Sequence, residues 1–312
     1  MIRPAALTLA LALAGCAANP PMAKLDLPAS ANASLPAGID AWWRSLNDAT
    51  LSQLIDEALA HNADVLLAAE RIGQSQAVLD ETRINLLPDA NLSSSANRRK
   101  PSEETTAKGQ SGASTSYKTG IGVSYEIDLW GRLSLARDAA RAQLAASGYA
   151  REVSRSAVAA QTAKSYFSLL ALDSEVSLLG KTLQTRDEAL RVQQARFKAG
   201  ASGEYELKLI EAERAAVAAS LPKLMAARSQ AETALAVLLG RSPREVVEGS
   251  IQRGSALDSL AATPDIPAAL PTELLSRRPD VQQAAMQFNA ADAELSEARR
   301  RYFPSISLSG FF

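Results

Sequence analysis

The sequence predicts a mainly α-helical chain interrupted by β-hairpins and built from two tandem repeats, the second incomplete. Three observations carry that reading: one segment occurs twice, the hydrophobic period changes at two equivalent prolines, and two heptad stripes flank a glycine-rich turn. Residues 57–93 match residues 273–309 at a fixed offset of 216, with pairs such as Glu57/Glu273, Asp64/Asp280, Val65/Val281, Leu79/Leu295, Arg83/Arg299, Pro88/Pro304 and Leu92/Leu308. Each copy reads as a helix that stops at a proline and continues as an alternating strand. The second copy is cut off at Phe312 as it turns into a strand. One half of such a two-fold wall does not close alone, so the chain is expected to be a fragment or an early stop.

The elements follow in order. Residues 1–15 (MIRPAALTLALALAG) carry Arg3 and then an apolar stretch from Ala5 to Ala14, too short to span a bilayer, and read as an export signal. Leu13-Ala14-Gly15-Cys16 resembles the lipobox of bacterial lipoproteins, which implies cleavage before Cys16 and lipid attachment there; an ordinary signal with a chance cysteine is the alternative. Cys16 is the single cysteine, so no internal disulfide forms. Residues 16–38, rich in Pro, Ala, Ser and Asn, read as a lipid-anchored tether. The first repeat is placed at 39–255 and the start of the second at 256–312.

Within the first repeat, Leu51, Leu54, Ile55, Ala58 and Leu59 are spaced as a helix, and a second helix from Asn62 or Asp64 to Leu86 is stopped by Pro88. Beyond Pro88 the period becomes 2. Residues 98–116 are polar throughout and read as a long exposed loop. In the next strand Thr119, Ile121, Val123, Tyr125, Ile127 and Leu129 alternate with Lys118, Gly120, Gly122, Ser124, Glu126 and Asp128. Two strands of this kind fit a transmembrane hairpin with a wet lumen, in which Lys118, Ser124, Glu126 and Asp128 face the lumen; a half-buried hairpin of a soluble sheet fits the alternation equally.

Trp130-Gly131-Arg132 breaks the strand, and a helix is expected from Leu133 to Lys198, about 100 Å long at 1.5 Å per residue. Its later half carries the stripe Leu169, Leu172, Val176, Leu179, Leu183, Leu190 and Phe197, with Arg186 and Gln193 in the remaining places. After the turn 199–203, Leu207, Ile210, Val217, Leu221, Leu224, Ala231, Leu235 and Leu238 repeat the stripe, with Arg214 and Arg228 in the gaps. A 3.5-residue period on both arms predicts coiled-coil packing between them. Gly200 is expected to cap the first arm, Pro222 to kink the second, and residues 244–270 to be irregular.

Composition excludes several functions. With 33 basic and 34 acidic residues the chain has a net charge of −1 and lacks the electrostatic footprint of a nucleic-acid binder. Apart from the signal, no segment holds some 18 uninterrupted apolar residues, so any crossing of a membrane would be by strands. His61 is the sole histidine, at a predicted helix end where a surface or capping role is expected. No Cys/His cluster, phosphate loop or nucleophile elbow is present, which predicts a non-enzyme without metal or other cofactor.

Several stretches together resemble the outer membrane efflux protein family, the TolC-like outer membrane factors, and within it the NodT-type lipoprotein branch. They are Ala41–Leu46 (AWWRSL), Tyr125–Arg132 (YEIDLWGR), Arg196–Gly200 (RFKAG), Leu238–Pro243 (LLGRSP), Leu270–Val281 (LPTELLSRRPDV) and Tyr302–Gly310 (YFPSISLSG). The resemblance implies a homotrimer whose protomers each give four strands to one 12-stranded outer membrane barrel, continued by a periplasmic helical barrel. Pro88–Arg98 and Tyr117–Leu129 would be the first strand pair and Pro304–Phe312 the start of the third strand. It also implies that the turn at Gly200 meets a periplasmic adaptor, with Arg196, Gly200, Ala201 and Ser202 as docking positions, although a plain hairpin cap explains the glycines equally.

The function so implied is a passive exit duct of a tripartite RND-type efflux system. It would lie in the outer membrane, lipid-anchored and extending into the periplasm, with an adaptor and an inner-membrane RND pump as partners. The alternatives are a protein-secretion duct of the same fold and a periplasmic adaptor lipoprotein; the hairpin set between helices and the strand after Pro304 weigh against the adaptor.

Overall fold

The computed structural model describes residues 39–100, 113–254, 257 and 277–312. The expected signal, Cys16, the tether and the Leu270–Pro271 start of the second copy lie outside the described residues. A short 3-10 helix, Ile39–Leu46, precedes α1 (Ala49–His61), α2 (Ala63–Ile84), β1 (Asp89–Arg99), β2 (Ser114–Ile127), α3 (Arg132–Lys198), α4 (Glu204–Leu238), α5 (Pro243–Glu248), α6 (Pro279–Arg300) and β3 (Ile306–Phe311). The bounds of α2 and α6 differ by 216 at both ends, which is the offset of the sequence match.

The chain divides into two compact units, one containing Arg71–Tyr149 and Ser276–Phe312, the other Ala29–Glu70 and Ala150–Leu275. The first holds a three-stranded antiparallel sheet of order β1-β2-β3. Asp89 pairs with Ser124 and Arg99 with Ser114, while Gly122 pairs with Phe311 and Ile127 with Ile306. Both strands of the hairpin reach further into the polar stretch than expected, because a ladder needs backbone groups rather than apolar side chains.

Strand β2 ends at Ile127 rather than Leu129 because Asp128 turns to cap α3. Its carboxylate accepts from the Leu133 N–H at 3.0 Å, the Ser134 N–H at 2.8 Å and the Ser134 hydroxyl at 2.7 Å. Beside it, Trp130 stacks on Phe303 (centroids 5.0 Å apart) and donates from Nε1 to the Pro304 carbonyl at 2.9 Å. Arg132 reaches Glu126 at 2.8 and 2.9 Å and Glu297 at 3.6 Å. The buried side chains of this unit's helices are mostly small (Ala139, Ala140, Ala146 and Ala290, with Leu79 and Leu133), so the backbones can approach closely.

The second unit is built around Trp43, Leu51, Leu54, Ile55, Ala58, Val158, Tyr166, Leu169, Leu235, Leu239 and Ile251. Tyr166, fully buried, donates to Asp48 at 3.0 Å and accepts from the Gly254 N–H at 3.0 Å, while Asp48 caps α1 through the Leu51 N–H. Arg253 bonds Asp173 on α3 and Glu232 on α4, and the Ile251 N–H donates to Glu232 at 3.0 Å. The extended segment after α5 is thereby fastened to both long helices.

Apart from Phe197, which is exposed, the heptad stripe is the shielded face of each arm, and its polar interruptions find partners on the other arm or in the turn. Arg186 bonds Glu213 at 2.7 Å and Arg214 bonds Asp187 at 2.7 Å; Arg228 lies 3.8 Å from Asp173, and Gln193 donates to the Ser202 hydroxyl. Helix α4 continues as helix through Pro222. Helix α5, Pro243–Glu248, occupies the start of the stretch 244–270 expected to be irregular. Its N-terminus is a capping box in which Ser242 and Glu245 satisfy each other's backbone groups and Pro243 opens the first turn.

Candidate functional site

Two surfaces carry the predicted residues: the faces of the sheet and the turn between α3 and α4. Residues paired across antiparallel strands share a face, so the register sorts the sheet's side chains. One face collects Ala90, Leu92, Tyr117, Ile121, Val123, Tyr125, Ile127, Ile306 and Leu308. The other collects Asp89, Asn91, Ser93, Ser95, Lys118, Ser124, Glu126, Ser307, Ser309 and, as its one aromatic, Phe311.

Both faces of the sheet are open in the isolated chain, and the apolar one is open across all three strands: Leu92 is 75% exposed, Tyr117 79% and Leu308 67%. A contiguous open apolar surface of this kind needs an apolar partner. No described helix is long and apolar enough to cross a membrane.

Of the residues expected to face a lumen, Lys118, Ser124 and Glu126 lie together on the polar face. Glu126 is held there by Arg132. Asp128 does not join them: it stands beyond the end of β2 with its carboxylate occupied by the N-terminus of α3. Its alternation with Glu126 continues the strand pattern, and only the cap, formed with residues that follow, takes it out. Phe311 was not singled out by the sequence, because its place on the polar face follows from pairing with a residue 189 positions earlier.

At the turn, Gly200 has φ +72, the left-handed conformation that suits glycine. Its N–H donates to the Phe197 carbonyl at 3.0 Å and that of Ala201 to the Arg196 carbonyl at 2.9 Å, closing the end of α3. Gly203 is the N-cap residue of α4. Arg196, Gly200 and Ala201 are exposed and Ser202 is half-buried. The Arg196 guanidinium meets no carboxylate among the described residues, and Phe197 and Tyr205 are exposed beside it. The four predicted docking positions therefore share one open turn, whose geometry by itself is that of a capped helical hairpin.

Several titrating groups of the second unit have structural partners. Burial, with the Asp48 carboxylate alongside, pushes the Tyr166 phenol up to about 12. The hydrogen bond from Arg253 holds the Glu232 carboxyl below its ordinary value. The hydrogen-bonded Glu57 carboxylate raises the Arg241 guanidinium, at 2.8 and 3.1 Å. His61, the sole histidine, ends α1 with its ring on the Glu57 carbonyl at 3.1 Å. Among the described residues no group of His, Cys, Asp and Glu is arranged to hold a metal ion.

Residues 54–241 match the family model described as outer membrane efflux protein. The chain is 32% identical over 285 residues to the pyoverdine export outer membrane protein OpmQ of Pseudomonas aeruginosa, covering 90% of this chain and 59% of that protein. It is 30% identical over 322 residues to outer membrane protein OprJ of the same species, covering 98% of this chain and 65% of OprJ. Among solved structures, the Campylobacter jejuni CmeC outer membrane channel superposes with a TM-score of 0.81 at 25% identity, covering 93% of this chain and 64% of that one. The chain thus spans 59–65% of the length of these proteins. With a mainly helical fold, a sheet of two unlike faces and a family match over most of its described length, the chain belongs to the outer membrane efflux protein family.

Proposed function

We propose that this chain is the first part of an outer membrane exit duct of a tripartite RND-type efflux system, passing small molecules from the periplasm to the exterior. The observation that carries the reading is the sheet, whose apolar face is open over all three strands while its other face is polar. Three protomers of four strands each would close such a sheet into a 12-stranded barrel with the apolar face on lipid and the polar face on water. The second of the tandem halves would supply the remaining strand. Transport through such a duct is passive and requires no catalytic group or cofactor.

In the same reading Cys16 carries the lipid anchor, the helical hairpin lies in the periplasm, and the turn at Arg196, Gly200, Ala201 and Ser202 meets an adaptor that links the duct to an inner-membrane pump. The names of the similar proteins, all of them outer membrane proteins or channels, support a duct over an adaptor.

The test is single-cysteine labelling of the full-length protein in outer membranes. Cysteines at Ile121 and Leu308 are expected to react with lipid-soluble probes, and cysteines at Ser124 and Ser309 with a water-soluble maleimide. Equal aqueous labelling of all four would overturn the reading.

A further inference from the structure

We propose that Phe311 is a contact residue for planar aromatic cations passing along the polar face of the sheet; this rests on the duct reading above. Phe311 is the one aromatic among the serines, asparagine and charged groups of that face. Its ring is laid over the strand opposite: a Cβ at Gly120 would stand 2.7 Å from Cε1 and closer still to Cζ, and Gly122, its register partner, leaves the space beside it open. Gly120 is buried although it lies in an otherwise open strand.

The two glycines thus form a shelf on which the ring rests, while Phe311 itself stays 69% exposed. The shelf fixes the ring's position, so an aromatic partner meets a surface already ordered and loses little further side-chain freedom on binding. By register the ring, lying over Gly120, is flanked on its face by the neutral side chains of Ser93, Asn91 and Ser309, with Lys118 two residues along β2 as the nearest charge. Asp89 and Glu126 lie towards one end of the face and Lys118 towards the other. The negative face of an aromatic ring attracts cations and stacks on planar π systems. In a trimer the station would occur three times around the wall.

The bland role for this pair is cross-strand packing of an aromatic on glycine, and the experiment separates the two. Full-length protein is reconstituted in planar lipid bilayers, and current block is measured against ethidium concentration for the wild type, Phe311→Leu, Phe311→Tyr and Gly120→Ala. Phe311→Leu keeps apolar bulk over the glycines but removes the π face; block is expected to weaken about two- to fivefold, the size of an exposed cation–π contact. Phe311→Tyr is expected to retain it. Gly120→Ala displaces the ring without removing it and is expected to weaken block too, which gives the same reading should Phe311→Leu fail to assemble. Block unchanged in Phe311→Leu, or in Gly120→Ala where the leucine variant does not assemble, overturns this inference alone. A wild-type protein that forms no conducting channel overturns the duct reading and this inference with it.

Discussion

Replacing Gly240 by alanine tests how the end of α4 is held against the end of α1. Gly240 has φ +73, and a Cβ built on it would lie 2.3 Å from the His61 carbonyl oxygen and 2.7 Å from its carbon. Two costs add. An L-residue in the left-handed region costs roughly 1–2 kcal/mol, and driving a methyl into fixed backbone costs about 1–3 kcal/mol more. The His61 backbone has little room to retreat. The next residue, Asn62, donates from its backbone to the Ala58 carbonyl at 2.8 Å and from its side chain to the Leu238 carbonyl at 2.9 Å, and Arg241 grips Glu57 on the same helix. Gly200 supplies the control, with φ +72 and nothing within 4 Å of its added Cβ, so Gly200→Ala carries the backbone cost alone. Heating the detergent-solubilised protein and following helical ellipticity should show Gly240→Ala losing about twice the stability of Gly200→Ala, or more. Equal losses would mean that the His61 wall yields freely, and the account of this junction would be wrong.

Three further outcomes follow from named contacts. Tyr166→Phe removes a hydroxyl bonded to Asp48 and to the Gly254 N–H in a fully buried site, and should cost about 1–3 kcal/mol in thermal or urea unfolding. Because the folded phenol titrates at about 12 against an ordinary 10.0, the wild type keeps this contribution below pH 10.0 and loses it as pH rises towards 12; Tyr166→Phe should lack that alkaline loss. Arg253→Ala leaves Asp173 and Glu232 without their shared cation and should destabilise by about 1–3 kcal/mol. The folded Glu232 is held below its ordinary 4.5, so its contribution is present above that pH and lost as pH falls below it; in Arg253→Ala this acid limb should flatten. Cys16→Ser should abolish incorporation of labelled palmitate in growing cells, and label retained in the variant would refute lipid attachment at Cys16.

Much of the fold was legible because it is written in local periods. The offset of 216 reappears in the bounds of α2 and α6, and the heptad stripes, Phe197 excepted, become the shielded faces of α3 and α4. Even the polar breaks in the stripes, Arg186 and Arg214, mark places where a partner waits on the other arm. Helix α5 was missed although its Ser242-Pro243-x-Glu245 start is a helix signal, because six residues are too few to display a hydrophobic period. Asp128 was misplaced because alternation alone does not reveal that a carboxylate is claimed by the helix that follows. The contacts that organise the second unit were out of reach. Tyr166 and Asp48 are 118 residues apart and Arg241 and Glu57 184, and no local pattern encodes either pairing.

The sorting of the sheet into an apolar and a polar face depends on register, since a slip of one residue in β3 would turn Leu308 and Ile306 to the polar side and Ser307 and Ser309 to the other. With so short a strand, the ladder alone gives weak protection against such a slip. Its fixings stand at the two ends of β3. At the end of β2, Trp130 holds the Pro304 carbonyl and stacks on Phe303, and Arg132 joins Glu126 to Glu297, which is also held by Arg301. At the other end of β3, the Phe311 ring rests in a space that only glycine at 120 leaves open, and a slip in one of the two directions would present Gly310 there instead. The positions matched by the sequence repeat, Leu92 with Leu308 and Ser93 with Ser309, then lie on the same faces in β1 and β3. A sheet with one apolar and one polar face gains this consistency from two anchors that bracket the strand, not from the strand's own alternation.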